Sequence, residues 1–326
     1  MIDKKFNELL YSYKEITVRY DTKNKALWYY FNPSQRPCYT MEMIREIHHF
    51  QLAVIDYFKF YKMKPKTPIN YIVMASQSDG VFNYGGDLNF FAQLIRKKDR
   101  KGLFEYAKAC IDILYLQSQN LKLPITTISL VEGSALGGGF EAALSSDILI
   151  TQKDVKIGLP EIRFNLFPGM GAYSFLARII GVKETEELMT SGKIYSSQEI
   201  YEKGLITILA EPYEAKKALD KFIEEDSKFL NGMQAIRSSR RIYKNIDYLE
   251  LLDITKVWVD AALNLDHKDL KVMYQLTKTQ KIKGAQTKQR TKQDRRIQNN
   301  MLSFPILDHA QNSVTYDRRL IMDRRA

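Results

Sequence analysis

The sequence predicts an α/β fold with a parallel sheet, on three observations. Short β-branched and apolar runs recur along the chain, as at 71–75 and 125–131. Each of these runs is followed by a glycine-containing loop and then by a helical pattern, which is the order of an α/β unit. With 326 residues, 45% of them hydrophobic, the chain is long enough for one large domain or two smaller ones.

The N-terminal part of the chain begins with a predicted hairpin. Two β-branched and aromatic runs, 13–20 and 25–31, flank the turn-forming residues 21–24. Behind them, residues 40–60 place apolar side chains at helical spacing after Thr40, a residue type that favours the N-cap position. We therefore expect a hairpin followed by a long amphipathic helix.

The middle of the chain repeats strand, glycine loop and helix. The loop 79–87 follows the first strand, and helical patterns continue from it to about residue 119. The stretch 132–139 follows the second strand and leads into a short apolar helix. Two more short extended segments come next, at 147–150 and 155–157. This order predicts parallel strands joined by crossover helices.

The C-terminal part differs in both structure and charge. Nearly every pattern in 213–280 predicts helix, and residues 281–326 are polar enough to predict a flexible tail. The chain holds 49 Lys and Arg against 38 Asp and Glu, a net charge of +11. Residues 268–326 hold 14 of these cations and 5 anions, a net of +9, so the other 267 residues, with 35 and 33, are nearly neutral. The basic tail is either a nucleic-acid-binding segment or a solvated extension, and nucleic acid is not an expected partner of the rest.

Composition excludes several classes of protein. Two cysteines, Cys38 and Cys110, form one disulfide at most, which excludes a disulfide-rich secreted scaffold and favours a reducing compartment. The opening residues lead into no apolar signal segment, and no run of roughly 18 apolar residues occurs. We therefore expect a cytoplasmic protein without a membrane span.

Metal and serine-nucleophile chemistry are not expected either. The four histidines are not at metal-ligand spacings, and no Cys/His cluster exists. No Gly-x-Ser-x-Gly elbow is present. These histidines are His48, His49, His267 and His309.

Two glycine clusters, Gly85-Gly86-Asp87 and Gly137-Gly138-Gly139, each follow a strand. Glycine lets another group approach the backbone closely. The second cluster opens a helix, so its N–H groups lack acceptors within that helix and form an oxyanion hole if the first loop supplies another donor. The alternative is a nucleotide-phosphate turn or a packing requirement, although neither cluster carries Gly-Lys-Ser/Thr or Gly-x-Gly-x-x-Gly.

Two glutamates accompany these clusters. Glu141 lies three residues after Gly138 in an apolar setting, which raises the pKa of a carboxyl group. Glu161 lies on the turn Gly158-Leu159-Pro160-Glu161. Two carboxylates beside a carbonyl supply what is needed to remove an α-proton and to protonate a β-hydroxyl. A solvated glutamate is the alternative for each.

The combination of these strings is specific. In order they are Gly85-Gly86-Asp87-Leu88, the stretch 131–141, Leu159-Pro160-Glu161 and Phe167-Pro168-Gly169-Met170-Gly171. Over roughly residues 12–280, their order and spacing resemble the enoyl-CoA hydratase (crotonase) superfamily. The resemblance implies a crotonase-like spiral of ββα units with a helical C-terminal region.

Three further strings resemble one branch of that superfamily, the diffusible-signal-factor synthases: 140–146, 164–176 and Trp28-Tyr29-Tyr30-Phe31. The branch implies dehydration of 3-hydroxyacyl chains on acyl carrier protein to the cis-2-enoyl thioester. It also implies hydrolysis of that thioester to a free fatty acid that acts as a quorum-sensing signal. No bound cofactor is implied, because phosphopantetheine of the carrier protein delivers the acyl chain.

The resemblance assigns roles residue by residue. Gly86 and Gly138 match the oxyanion-hole donors, and Glu141 and Glu161 match the catalytic carboxylates. By similarity to hydratases, Glu161 acts at the α-carbon and Glu141 acts at the hydroxyl or at water. Expected walls of the acyl pocket are Met170, Trp258, Phe167 and Leu276, although an apolar stripe of this kind also suits plain core packing.

Three parts of the chain are expected on this basis. Residues 1–215 form the catalytic core with the N-terminal hairpin and helix, 216–280 form a helical region that completes the acyl pocket, and 281–326 form the basic tail. Expected partners are acyl carrier protein, further copies of the chain in a trimer or dimer of trimers, and a sensor kinase receiver domain. Two alternatives stay open: an enoyl-CoA hydratase of fatty-acid degradation, and a non-catalytic interaction protein with the same fold.

Overall fold

A computed structural model describes residues 4–60 and 68–277 and two short strands near the C-terminus. The predicted flexible tail, 281–326, otherwise lies outside the described residues. Among the described residues, the helices are α1 (Lys4–Leu9), α2 (Met41–Phe60), α3 (Leu88–Arg96), α4 (Arg100–Ser118), α5 (Gly138–Leu144), α6 (Ala172–Ile180), α7 (Val182–Ser191), α8 (Ser197–Glu202), α9 (Ala215–Ser227), α10 (Leu230–Tyr243), α11 (Tyr248–Leu263) and α12 (His267–Thr277). Two 3-10 helices lie at Asn120–Lys122 and Glu161–Phe164.

The strands of the described chain form two main sheets and one short pair. They are β1 (Ile16–Asp21), β2 (Ala26–Phe31), β3 (Tyr71–Ser76), β4 (Val81–Asn83), β5 (Thr126–Val131), β6 (Ser134–Leu136), β7 (Ile148–Gln152), β8 (Lys156–Gly158), β9 (Ile194–Ser196), β10 (Ile208–Ala210), β11 (Ile306–Leu307) and β12 (Ser313–Val314). The large sheet has the order β1-β2-β3-β5-β7-β10, and all of its pairs are parallel except β1–β2. The small sheet has the order β4-β6-β8-β9, with only β8–β9 antiparallel. Strands β11 and β12 pair antiparallel.

Consecutive strands alternate between the two main sheets. β3, β5 and β7 belong to the large sheet, and the strand that follows each of them, β4, β6 or β8, belongs to the small sheet. A helix follows each strand pair. This arrangement confirms the predicted α/β class, the ββα spiral and the helical C-terminal region.

The sequence did not predict β4 and β6, which lie inside stretches interpreted only as glycine loops. Each strand is three residues long, with the sequences VFN and SAL. Three residues are too few to display the alternation of apolar and polar side chains that marks a strand. The predicted loops 79–87 and 132–139 therefore contain both a strand and a glycine turn.

The predicted hairpin and the long helix after it, α2, are confirmed. β1 and β2 pair from Ile16 with Phe31 to Asp21 with Ala26. α2 begins directly after Thr40, whose Oγ1 accepts a hydrogen bond of 3.0 Å from the Met43 N–H. This is the N-cap interaction that the residue type predicts.

The apolar core lies on both faces of the large sheet. Because side chains alternate along a strand, Leu27 and Tyr29 of β2 join the larger core, whereas Trp28 joins the smaller one beside Leu219 of α9. The helices α11 and α12 pack on the larger core through side chains that include Trp258. Among the described residues, no helix is both long and apolar enough to cross a membrane.

Candidate active site

The four groups predicted to carry the chemistry line one cavity. Gly86 precedes α3, Gly138 opens α5, Glu141 lies on α5, and Glu161 begins the second 3-10 helix. All four contribute to the wall of a cavity of about 780 Å³, measured with its open mouth. The ββα repeats therefore bring together residues that lie far apart in sequence.

The backbones of the two glycine clusters are in contact. A Cβ atom placed on Gly138 would lie 3.2 Å from the Gly85 Cα and 3.5 Å from the Gly86 nitrogen. Gly137 precedes α5 with a φ of 54°, in the left-handed region that glycine adopts most readily. Because Gly138 is the first residue of α5, its N–H has no acceptor one turn earlier within the helix. The oxyanion hole predicted from Gly86 and Gly138 therefore has its two backbones adjacent.

Three residues that were not predicted from the sequence, Arg36, Tyr39 and Tyr106, hold the Gly86 loop. The Tyr39 N–H donates to the Gly85 carbonyl at 2.8 Å. The Tyr106 hydroxyl accepts from the Asp87 N–H at 3.2 Å and donates to the Tyr39 carbonyl. Arg36 forms an ion pair of 2.7 Å with the Asp87 carboxylate. The loop beside the predicted oxyanion hole is thus fixed on two sides.

Glu141 is almost completely buried, with 1% of its surface exposed. Its Oε1 atom accepts hydrogen bonds from the Met170 N–H at 2.7 Å and the Ala172 N–H at 2.9 Å. Burial raises the pKa of this carboxyl group to about 7, and the two backbone hydrogen bonds oppose part of that rise. The apolar surroundings that the sequence predicts for Glu141 therefore raise its pKa, as expected.

Glu161 lines the same cavity and lies beside Gly137. A Cβ atom on Gly137 would lie 2.3 Å from the Glu161 Oε1. The Glu161 Oε2 is buried and has no hydrogen-bond partner among the described residues. Burial and, secondarily, the charge of Glu141 raise the pKa of Glu161 well above the usual 4.5. Both effects favour the protonated form of the Glu161 carboxyl group over the ionised form.

The site therefore holds two titratable carboxyl groups and two backbone donors. When one carboxyl is protonated and the other is ionised, the pair contains a general acid and a general base. Backbone N–H groups stabilise negative charge that develops on a carbonyl oxygen. Among the described residues, no three His, Cys, Asp or Glu side chains are grouped to hold a metal ion.

The apolar wall contains three of the four predicted pocket residues. Met170, Trp258 and Leu276 line the cavity, whereas Phe167 does not. Asn165 has a φ of 59°, and beyond this turn Leu166 lies in the wall while Phe167 packs partly buried against the core. Phe167 does not join this lining, because spacing along an irregular loop does not reveal which side chains share a face.

The part of the wall that comes from α3 and α4 was not predicted from the sequence. Phe91 lies beneath the Gly86 backbone, since a Cβ atom on Gly86 would lie 2.5 Å from the Phe91 Cζ. Its ring also packs edge-on against Trp258, with centroids 5.1 Å apart. An aromatic residue one turn into the helix after Gly86 was the available signal. Other wall residues from this part of the chain are Tyr84, Leu88, Tyr106, Ala107 and Cys110.

Comparisons with known proteins show the family to which the chain is similar. The enoyl-CoA hydratase/isomerase family profile matches residues 58–236. A Bacillus subtilis (strain 168) protein named "Probable enoyl-CoA hydratase" is 31% identical over 175 residues, which cover 52% of this chain and 66% of the relative. The mouse protein "Methylglutaconyl-CoA hydratase, mitochondrial" is 30% identical over 180 residues, 55% of each chain. The chain therefore matches between about half and two thirds of the length of these curated relatives.

The fold comparison extends further along the chain. The crystal structure of an enoyl-CoA hydratase from Bacillus halodurans superposes with a TM-score of 0.67 and 20% identity. The superposition covers 81% of this chain and all of that structure. The family profile matches more than half of this chain's residues, and the chain therefore belongs to the enoyl-CoA hydratase/isomerase family.

Proposed function

We propose that this protein removes water across C2 and C3 of a 3-hydroxyacyl thioester on acyl carrier protein and then hydrolyses the thioester. The product is a cis-2-unsaturated fatty acid that serves as a quorum-sensing signal. The observation that carries the chemistry is the meeting of Glu141 and Glu161 with the Gly86 and Gly138 backbones at one cavity. The resemblance of 140–146 and 164–176 to signal synthases supports the choice of substrate.

The dehydration step uses both carboxyl groups. The thioester oxygen accepts hydrogen bonds from the two glycine N–H groups, which stabilises the enolate and acidifies the α-proton. In the form of the pair whose shared proton lies on Glu141, Glu161 takes the α-proton, while Glu141 protonates the hydroxyl group that leaves C3 as water. One carboxyl group gains a proton and the other loses one, so the charge of the pair is unchanged.

The hydrolysis step uses the same groups at a different carbon. The carboxylate of the pair takes a proton from a water molecule as that water attacks the thioester carbonyl. The glycine N–H groups then hold the oxyanion of the tetrahedral intermediate, and its collapse expels the carrier thiolate, which takes up that proton. Acyl carrier protein is the partner in this proposal, and no resident cofactor takes part.

A second candidate function is CoA-dependent hydration of enoyl chains. The names of the curated relatives favour it, since both are CoA hydratases. The two functions share the carboxyl pair and differ in carrier and in whether a free acid is released. We favour the signal synthase because of the branch-like strings.

Mass spectrometry of free fatty acids tests the proposal. Cells that express this chain should release a cis-2-unsaturated acid, and cells that express Glu141→Gln should not. Gly232→Ala is a matched control, because a Cβ atom at this helical glycine meets nothing within 4 Å. In vitro, the purified protein should release free acid from 3-hydroxyacyl carrier protein. Hydration of enoyl-CoA without any free acid would establish the second candidate instead.

A further inference from the structure

A second cavity lies at the C-terminal end of α5 and shares no wall residue with the candidate active site. Its walls come from α5, α6, β7, α10 and the loop before β10. Neither the family nor the proposed reaction gives it a role. Its lining contains both cationic and apolar side chains.

The cationic part of the lining comes mainly from the end of α10. Arg240, Arg241 and Lys244 line the cavity together with one carboxylate, Asp147. Asp147 accepts hydrogen bonds from Arg240 at 2.9 Å and from Arg241 at 3.2 Å. Two guanidinium groups on one carboxylate leave a positive charge in excess, and Lys244 adds another.

The remaining two cations of the lining, Arg178 and Lys244, differ in their partners. Arg178 also lines the cavity, and Glu250 pairs with it at 2.7 Å. Burial, followed by the charge of Arg240, lowers the pKa of Lys244, and no carboxylate among the described residues opposes this shift. The C-terminal end of α10 therefore brings more positive than negative charge to this cavity.

Hydroxyl groups add hydrogen-bond donors to the lining. The Ser146 Oγ accepts from the Gln117 amide at 3.0 Å and from the Ser129 hydroxyl at 2.8 Å. The Thr207 Oγ1 accepts from the Leu149 N–H at 3.2 Å. Both Ser146 and Thr207 line the cavity and keep their own hydroxyl hydrogens for donation.

Apolar side chains form another part of the lining. Leu144, Leu149, Phe175 and Leu205 line the cavity, and each is at most 7% exposed. Favourable interaction of Arg240 and Arg241 with the helix dipole explains why basic residues end α10, but not why they border an apolar cavity. A bare inorganic anion would use the cations and leave the apolar walls against water.

We propose that this second cavity binds a small carboxylate that carries an apolar chain. The carboxylate lies between Arg240 and Lys244, where charge-assisted hydrogen bonds replace its contacts with water. The chain packs against Leu144 and Phe175. This proposal does not depend on the proposed function, because no group of the candidate active site takes part.

Photoaffinity labelling tests the site directly. The probe is a medium-chain fatty carboxylate with a diazirine on its chain, and labelled positions are mapped by peptide mass spectrometry. We expect labels on peptides that contain 144–149 and α6, separate from labels in the active-site cavity. Unlabelled octanoate should compete for these labels, whereas octanol and inorganic phosphate should compete much less.

Three variants identify the cations. Lys244→Gln should reduce this labelling about tenfold, since a charge-assisted hydrogen bond is lost, and Lys244→Arg should restore it. Lys228→Gln is the charge-matched control, because Lys228 is exposed and pairs with Glu225 at 2.8 Å. Absence of labels at the second cavity, or equal labelling in Lys244→Gln, would overturn the proposal. Stronger competition by phosphate or octanol than by octanoate would also overturn it.

Discussion

The carboxyl groups of Glu141 and Glu161 share one cavity, and the charge of Glu141 raises the pKa of Glu161. Burial raises the pKa of each, to about 7 for Glu141. Two negative charges together in this cavity are unfavourable, so ionisation of one carboxyl group disfavours ionisation of the other. With one member protonated and the other ionised, the pair supplies an acid and a base.

Glu141→Gln should abolish most activity while the protein stays folded. The glutamine Oε1 can still accept from the Met170 and Ala172 N–H groups, which contact Oε1 of Glu141 at 2.7 and 2.9 Å. Loss of a general acid or base lowers the rate by about 10²- to 10⁴-fold. Steady-state turnover of the acyl thioester, with a thermal melt as the folding control, measures this. Full turnover in the variant would exclude Glu141 from proton transfer.

Glu161→Gln should stabilise the protein more at pH 8 than at pH 5. A raised pKa means that the folded state keeps a proton that the unfolded state releases above 4.5, so the stability contributed by Glu161 is lost as pH rises. Glutamine has no such dependence, and it removes a buried carboxylate oxygen that lacks a partner. Urea unfolding at both pH values measures the difference, expected to reach on the order of 1–3 kcal/mol.

Glu199→Gln is the control for that measurement. Lys193 and Ser196 lower the pKa of Glu199 from 4.5 to about 2. At pH 5 and above, Glu199 is therefore ionised in the folded state and largely ionised in the unfolded state. The stability difference from the native chain should therefore vary little between pH 5 and pH 8. A pH-independent difference for Glu161→Gln as well would contradict the raised pKa.

Gly138→Ala should lower turnover at a modest cost in stability, because the added Cβ would also lie 3.2 Å from the Gly85 Cα. The added Cβ would lie 2.3 Å from the Met170 Sδ, a flexible atom that moves aside into the cavity. The methyl group displaces Met170 and crowds the contact between Gly138 and the Gly85-Gly86 backbone. The thioester oxygen is then misplaced, and kcat/KM should fall on the order of 10²-fold. In the control Gly232→Ala, activity should be unchanged and stability should rise by about 0.5–1 kcal/mol. Equal activities in the two variants would argue against a reacting atom beside Gly138.

Arg237→Met should destabilise the fold without a direct effect on the site. Arg237 is 4% exposed, forms an ion pair with the buried Asp226 and donates to the Thr126 Oγ1 at 3.1 Å. Removing the guanidinium leaves a buried carboxylate unpaired, at a cost of about 3–5 kcal/mol. Denaturant unfolding should show this loss and a partial recovery in Arg237→Met with Asp226→Asn. Unchanged stability in the single variant would show that this ion pair contributes little to the stability of the fold.

The long elements of the fold were predictable because their patterns are local. The hairpin β1–β2, helix α2 and strands β3 and β5 have enough residues to display their periodicity. β4 and β6 have three residues each, and their pairing across the small sheet, not their sequence, makes them strands. A single sequence carries little information about such pairings.

The chemical groups of the site were also easier to predict than its walls. Glycine and glutamate in fixed strings have few roles, so Gly138 and Glu141 were identified from neighbours along the chain. Apolar side chains suit core and cavity equally. The spacing of Phe167 could not reveal the left-handed turn at Asn165, and Phe91 becomes a wall residue only when α3 packs beside Gly86.

The most direct test of the account is solvent deuterium incorporation at C2 of the acyl chain. In D₂O, hydration of an enoyl thioester should place one deuterium at C2 in each turnover, delivered by Glu161. The Glu161→Gln variant should lose this incorporation together with turnover, while binding the thioester as the native protein does. Incorporation at the native rate in Glu161→Gln would contradict the central claim that the two carboxyl groups divide the proton transfers between them.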